Sequence, residues 1–127
     1  MTGHILVVDD DDDLRETVQM LLEEGGFLVS VAENGRAALE QLRAGARPSL
    51  ILLDLMMPEM NGWQFIEHVR QDADLGSIPI VIMTAHKSTD ALPVPSENVL
   101  QKPFDIDKLL ASIRRHLAGS SATASAP

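Results

Sequence analysis

A chain of 127 residues, 45% hydrophobic and 23% charged, has the size and balance of one globular domain and can bury a core without covalent staples. It has no cysteine, which excludes disulfides and thiolate metal sites. Nineteen acidic residues against ten basic ones give a net charge of -9, a balance that suits cations or basic partners and argues against direct binding to nucleic acid, whose backbone needs Lys and Arg to neutralise it.

The opening Met1-Thr2-Gly3-His4 has no basic stretch, and the apolar run that follows is too short for a signal-peptide core. No segment approaches the ~20 apolar residues of a membrane span. A cytoplasmic protein that does not engage membranes is expected.

In chain order, Ile5-Leu6-Val7-Val8 is a β-prone apolar run that ends at Asp9-Asp10-Asp11-Asp12-Asp13. An amphipathic helix follows, with Leu14, Val18, Leu21 and Leu22 on one face, and Gly25-Gly26 stops it. Residues 27–31 form a second strand, Glu33-Asn34-Gly35 a turn, and residues 36–44 a helix ended by Gly45. A third strand over 50–53 leads to Asp54, a loop over 57–62, and a helix over 63–70 that buries Phe65, Ile66 and Val69. A fourth strand over 79–83 ends at Thr84, and a short fifth strand over 99–101 ends at Lys102-Pro103. The last helix starts after Asp105, a suitable N-cap, with Ile106, Leu109, Leu110, Ile113 and Leu117 as its apolar stripe and Arg114, Arg115 and His116 in its last turn. One domain over 1–118 is expected, and 119–127, small and polar, reads as a disordered tail or linker stub.

Strand and helix alternate, and the strands are apolar throughout, as when both faces of a parallel sheet are covered. The expected fold is α/β: a doubly wound five-stranded parallel sheet of flavodoxin-like order 2-1-3-4-5. Pro93 and Pro95 fall between the fourth and fifth strands, so the fourth helix is expected to be short or irregular.

In such a sheet ligands bind at the carboxyl ends of the strands. Asp9 and Asp10 end strand one, Asp54 ends strand three, Thr84 strand four and Lys102 strand five. Strands one and three are neighbours, so three acids meet in one pocket. A hard divalent cation relieves their repulsion, and Mg²⁺ takes oxygen ligands, commonly one or two carboxylates with waters. Asp10 and Asp54 are the expected direct ligands, Asp9 acts through water, and the Met56 carbonyl is within reach along the chain. The Asp54 carboxylate is a plausible nucleophile toward a phosphoryl donor, with Lys102 and Mg²⁺ neutralising the phosphoryl oxygens and the Thr84 hydroxyl donating to one of them. Asp12 and Asp13 read as first-turn helix residues.

The chain resembles response-regulator receiver domains over about residues 4–118. The resemblance rests on Ile5-Leu6-Val7-Val8-Asp9-Asp10, on Leu52-Leu53-Asp54-Leu55-Met56-Met57-Pro58-Glu59-Met60-Asn61-Gly62, on Ile80-Val81-Ile82-Met83-Thr84-Ala85, and on Lys102-Pro103-Phe104. It implies a phosphorylation-dependent signalling switch rather than a turnover enzyme. In that switch Asp54 is the phosphoacceptor, supplied by a histidine kinase or phosphotransfer protein, and Mg²⁺ sits at Asp9, Asp10 and Asp54. Thr84 and Lys102 sense the phosphoryl group, the Lys102–Pro103 bond is cis, and a downstream protein reads the change. His86 reads first as a surface residue at the pocket rim; with Met56 it holds positions that, in the family, tune the lifetime of the phosphoryl group. Many members carry Tyr or Phe three residues before the lysine, where this chain has Val99 and no Tyr anywhere.

Three other functions compete with this one. A receiver-like interaction module independent of phosphorylation is suggested by the irregular stretch 87–98. A Mg²⁺-dependent aspartyl-phosphate phosphohydrolase needs a second acid two residues after its nucleophile, where Met56 stands. A histidine phosphotransfer protein needs a helical bundle, which the alternating pattern excludes.

Overall fold

Strand and helix propensities alternate along the chain, and the computed structural model, which describes residues 3–54, 62–84, 99–101 and 106–125, follows that rhythm. The elements are β1 (His4–Val8), α1 (Asp12–Glu24), β2 (Leu28–Ala32), α2 (Gly35–Arg43), β3 (Leu50–Asp54), α3 (Gly62–Gln71), β4 (Ile80–Thr84), β5 (Val99–Gln101) and α4 (Ile106–Ser125). The five strands form one sheet of order β2-β1-β3-β4-β5, parallel at every pairing. This is the expected order. The short or irregular fourth helix expected between the fourth and fifth strands and the N-cap expected at Asp105 lie outside the described residues.

The continuous apolar runs are explained by two cores, one on each face of the sheet. Side chains alternate across a strand. Leu6, Val8, Ile51, Leu53, Ile80 and Ile82 therefore point one way, against Ala38, Leu39 and Leu42 of α2 and Phe65, Ile66 and Val69 of α3. Ile5, Val7, Leu50, Leu52, Val81 and Met83 point the other way, against Val18 and Leu22 of α1 and Leu109 and Ile113 of α4. Every residue of β3 is buried. β2 departs from the all-apolar, all-buried expectation: it lies at the sheet edge, and its Leu28 is 64% exposed.

Helix ends follow local chemistry. The Asp11 carboxylate caps α1 by accepting the Leu14 N–H at 3.1 Å, and the Asn34 side chain caps α2 by accepting the Ala37 N–H at 2.8 Å. Asp12 and Asp13 stand in the first turn of α1, where the helix dipole favours anions. At the other end, Gly26 N–H donates to the Glu23 carbonyl at 3.0 Å and Phe27 N–H to the Leu22 carbonyl at 3.1 Å. α2 closes in the same way, with Gly45 N–H on Leu42 and Ala46 N–H on Gln41, both at 3.1 Å. Both are Schellman closures, and both place a glycine at positive φ, 93° at Gly26 and 113° at Gly45. A Cβ at Gly26 would meet nothing within 4 Å, so the requirement for glycine is purely conformational. Gly26→Ala should therefore destabilise the fold by about 1–2 kcal/mol. The check is a lower urea midpoint with an unchanged denaturant slope.

α4 corrects the expectation for the C-terminus. The tail expected from 119 is helical to Ser125, so Arg114, Arg115 and His116 lie inside the helix rather than in its last turn. Once nucleated by the packed stripe, a helix adds one hydrogen bond per residue. The residues beyond Leu117 include Ala118, Ala122 and Ala124, and a single glycine. Among the described residues no helix is long and apolar enough to cross a membrane.

Candidate functional site

The sheet register brings the acids together. Val8 of β1 pairs with Leu53 of β3, so Asp9 and Asp54 follow their partners at the same level. Asp54 in turn pairs with Met83 of β4, and Thr84, the last residue of β4, pairs with Gln101 of β5. The carboxyl ends of four adjacent strands thus form one edge. Lys102, which directly follows β5, lies outside the described residues, as do Met56, His86 and the Lys102–Pro103 bond.

Asp9 and Asp54 are buried, 0% and 5% exposed, whereas Asp10 is exposed. One carboxylate oxygen from each of Asp9, Asp10 and Asp54 lies within 4.8 Å of the other two. Burying a carboxylate is costly unless it is paired, hydrogen-bonded or bound to a metal. Three acids at this spacing form an all-oxygen donor set with one member open to solvent. That donor set fits a hard divalent cation that keeps part of its water shell. The sequence placed these three acids together correctly.

The turn that carries Asp9 and Asp10 is held from several sides. Asp9 N–H donates to the Ala32 carbonyl of β2 at 3.2 Å, and an Asp9 carboxylate oxygen accepts the Asp11 N–H at 2.9 Å. Asp11 is fixed as the N-cap of α1, and its carbonyl accepts the Arg15 N–H at 2.9 Å. The Arg15 side chain reaches back along the helix: its Nη1 donates to the Asp9 carbonyl at 2.8 Å, and its Nη2 pairs with the Asp12 carboxylate. Sequence reasoning missed Arg15. The available signal was a lone cation inside the acid-rich stretch, one helical turn after the capping aspartate.

Trp63 lies in the first turn of α3. It is partly buried and packs against the core formed with α2. A chromophore there can report changes on that side of the sheet.

Comparison with known proteins agrees with this geometry. The family model described as response regulator receiver domain matches residues 5–114. The response regulator Rre1 of a Synechocystis strain is 38% identical over 127 residues, covering 96% of this chain and 54% of that protein. The response regulator MprA of Mycolicibacterium vanbaalenii is 37% identical over 118 residues, covering 90% of this chain and 50% of that protein. The chain thus spans about half the length of the curated relatives it matches. Among solved structures, the receiver domain of a signal transduction histidine kinase from Syntrophus aciditrophicus superposes with a TM-score of 0.87 at 30% identity, covering 99% of this chain and 98% of that one. The chemotaxis response regulator CheY4 of Vibrio cholerae gives a TM-score of 0.80 at 29% identity, covering 91% of this chain and 99% of that one.

Proposed function

Because the chain belongs to the response regulator receiver domain family, we propose that it is a switch in which Asp54 accepts a phosphoryl group from a histidine kinase or phosphotransfer protein. The observation that carries this reading is the cluster of Asp9, Asp10 and Asp54 at the carboxyl edge of the sheet. Asp10 and Asp54 would hold Mg²⁺ directly, Asp9 through water, and the Met56 carbonyl would complete the protein's share of ligands. Bound there, Mg²⁺ would neutralise the carboxylates and the charge on the phosphoryl oxygens.

A carboxylate oxygen of Asp54 attacks phosphorus, the bond from phosphorus to the donor's leaving group breaks, and an acyl phosphate forms on β3. Lys102 supplies a second positive charge to the phosphoryl oxygens, and the Thr84 hydroxyl donates to one of them. Phosphorylation adds charge at a buried strand end and shifts the balance between two conformations of the chain. The changed surface is read by a downstream protein. We place the boundary of the receiver unit near residue 118, just past Leu117, which still packs against the core between the sheet and α1 and α4. The chemistry is a single self-modification and its reversal, with no turnover of a small substrate and no contact with nucleic acid by this unit.

The test is incubation with acetyl phosphate, or beryllofluoride as its mimic, with and without Mg²⁺. A gain of one phosphoryl group by mass and a change in Trp63 fluorescence are expected with Mg²⁺, and neither after chelation by EDTA. Labelling that survives EDTA would remove Mg²⁺ from the reading. No labelling and no fluorescence response under any condition would overturn the switch itself.

A further inference from the structure

Arg15 has no part in the phosphoryl-transfer chemistry above, yet it is tied to the acid cluster through the backbone. Its guanidinium spans two groups: Nη1 donates to the Asp9 carbonyl at 2.8 Å and Nη2 pairs with the Asp12 carboxylate. The Arg15 side chain is 16% exposed while that of Asp12 is 77% exposed, so the arginine is largely withdrawn from water and its acidic partner faces solvent. Asp9 is thereby held at its N–H by Ala32, at its carbonyl by Arg15, and at a carboxylate oxygen by the Asp11 N–H. Asp11 is held as the cap of α1. Asp10, the exposed member of the cluster, is suspended between two residues whose positions are fixed.

We propose that Arg15 is a positioning residue: its two-donor fork locks the turn between β1 and α1 so that the Asp10 carboxylate is presented to the cation site formed with Asp9 and Asp54. The inference rests on the reading of that cluster as a divalent cation site. Groups that orient metal ligands without touching the metal commonly change its affinity by about 10–100-fold when removed.

Charge and position act in opposite directions here. As a bare cation so close to the ligands, Arg15 repels Mg²⁺, and its loss would tighten binding. As a fork it preorders the turn, and its loss would weaken binding. Arg15→Lys separates the two, because it keeps the charge but replaces the planar fork with a single ammonium that cannot span both acceptors in the same geometry. A double variant, Arg15→Met with Asp12→Asn, removes the fork while leaving the net charge unchanged.

The experiment is Mg²⁺ titration of the full chain by calorimetry at fixed ionic strength, with amide hydrogen exchange at Asp11 followed in parallel. Arg15→Lys and the double variant should each bind Mg²⁺ about 10-fold more weakly than wild type. Both should also exchange the Asp11 amide faster, with circular dichroism unchanged. Binding by Arg15→Lys as tight as wild type, or tighter binding by the double variant, would overturn the positioning role. A wild-type chain that binds no Mg²⁺ would instead sink the cation site. In that event unchanged exchange at Asp11 in the variants would also remove the fork's ordering of the turn.

Discussion

Asp54→Asn should abolish phosphorylation by acetyl phosphate while leaving the fold intact. Asn matches Asp in shape, and Asp54 sits at 5% exposure as the last residue of a strand flanked by β1 and β4, so the substitution leaves no cavity. What changes is chemical. The amide offers no anionic oxygen to attack phosphorus, and the acid cluster loses one of its three negative charges. One unit charge at ligand distance is worth more than ~1.4 kcal/mol even at a high effective dielectric. Mg²⁺ affinity should therefore fall by at least about 10-fold. Mass spectrometry after incubation should show the phosphoryl adduct on wild type only, and Mg²⁺ should raise the melting temperature of wild type more than that of the variant. Labelling retained by Asp54→Asn would move the phosphoacceptor to another residue. Labelling lost with Mg²⁺ affinity unchanged would keep Asp54 as nucleophile and remove it from the metal.

The largest effect on stability is expected from Phe65→Ala. Phe65 is fully buried and belongs to the core that joins β1, β3 and β4 to α2 and α3. Truncating a buried Phe to Ala costs about 3–5 kcal/mol, part lost transfer energy and part residual cavity. A domain of this size has only about 5–15 kcal/mol in total. The variant should unfold at a much lower urea concentration. Because Trp63 packs against the same core, its fluorescence should report the loosening even before unfolding. Glu67→Ala on the exposed side of the same helix should stay within about 0.5 kcal/mol of wild type, which isolates the core from the helix. A loss below about 1 kcal/mol in Phe65→Ala would mean that α3 settles into the space, and that the two-layer core is softer than its close packing suggests.

The fold was legible because the strands are short apolar runs separated by capping and turn residues, and β3, apolar from Leu50 to Leu53, has the pattern of a strand covered on both faces. The acid site was legible for a related reason. Asp9 and Asp54 terminate apolar runs abruptly, and the strand order puts those two ends side by side. The lone positive charge of Arg15 in the acidic stretch announces at most its pairing with Asp12; its contact with Asp9 was not legible, because the acceptor there is a backbone carbonyl, a group every residue carries. The exposure of β2 was missed because edge and central strands differ by topology, which a local apolar run does not encode. The length of α4 was missed because the residues after Leu117 carry no apolar stripe, and periodicity is silent over them. The roles assigned to Met56 and Lys102 rest on their places after β3 and β5 together with the resemblance, and that of His86 on the resemblance; all three residues lie outside the described ones.

The alternation of β3 between two cores has a consequence for which changes in chain length the protein can survive. Inserting one residue between Leu50 and Asp54 would swap the side chains offered to the two faces and turn Asp54 away from its present side. Inserting two would restore the facing but carry the carboxylate about 6.6 Å along the strand, at about 3.3 Å per residue. That step exceeds the 4.8 Å within which the three acids now meet. The spacing from the foot of β3 to its aspartate is thus a ruler with a single working setting, and insertions can accumulate at no cost to the acid cluster only in segments that carry none of its members, such as those between α2 and β3 and between α3 and β4.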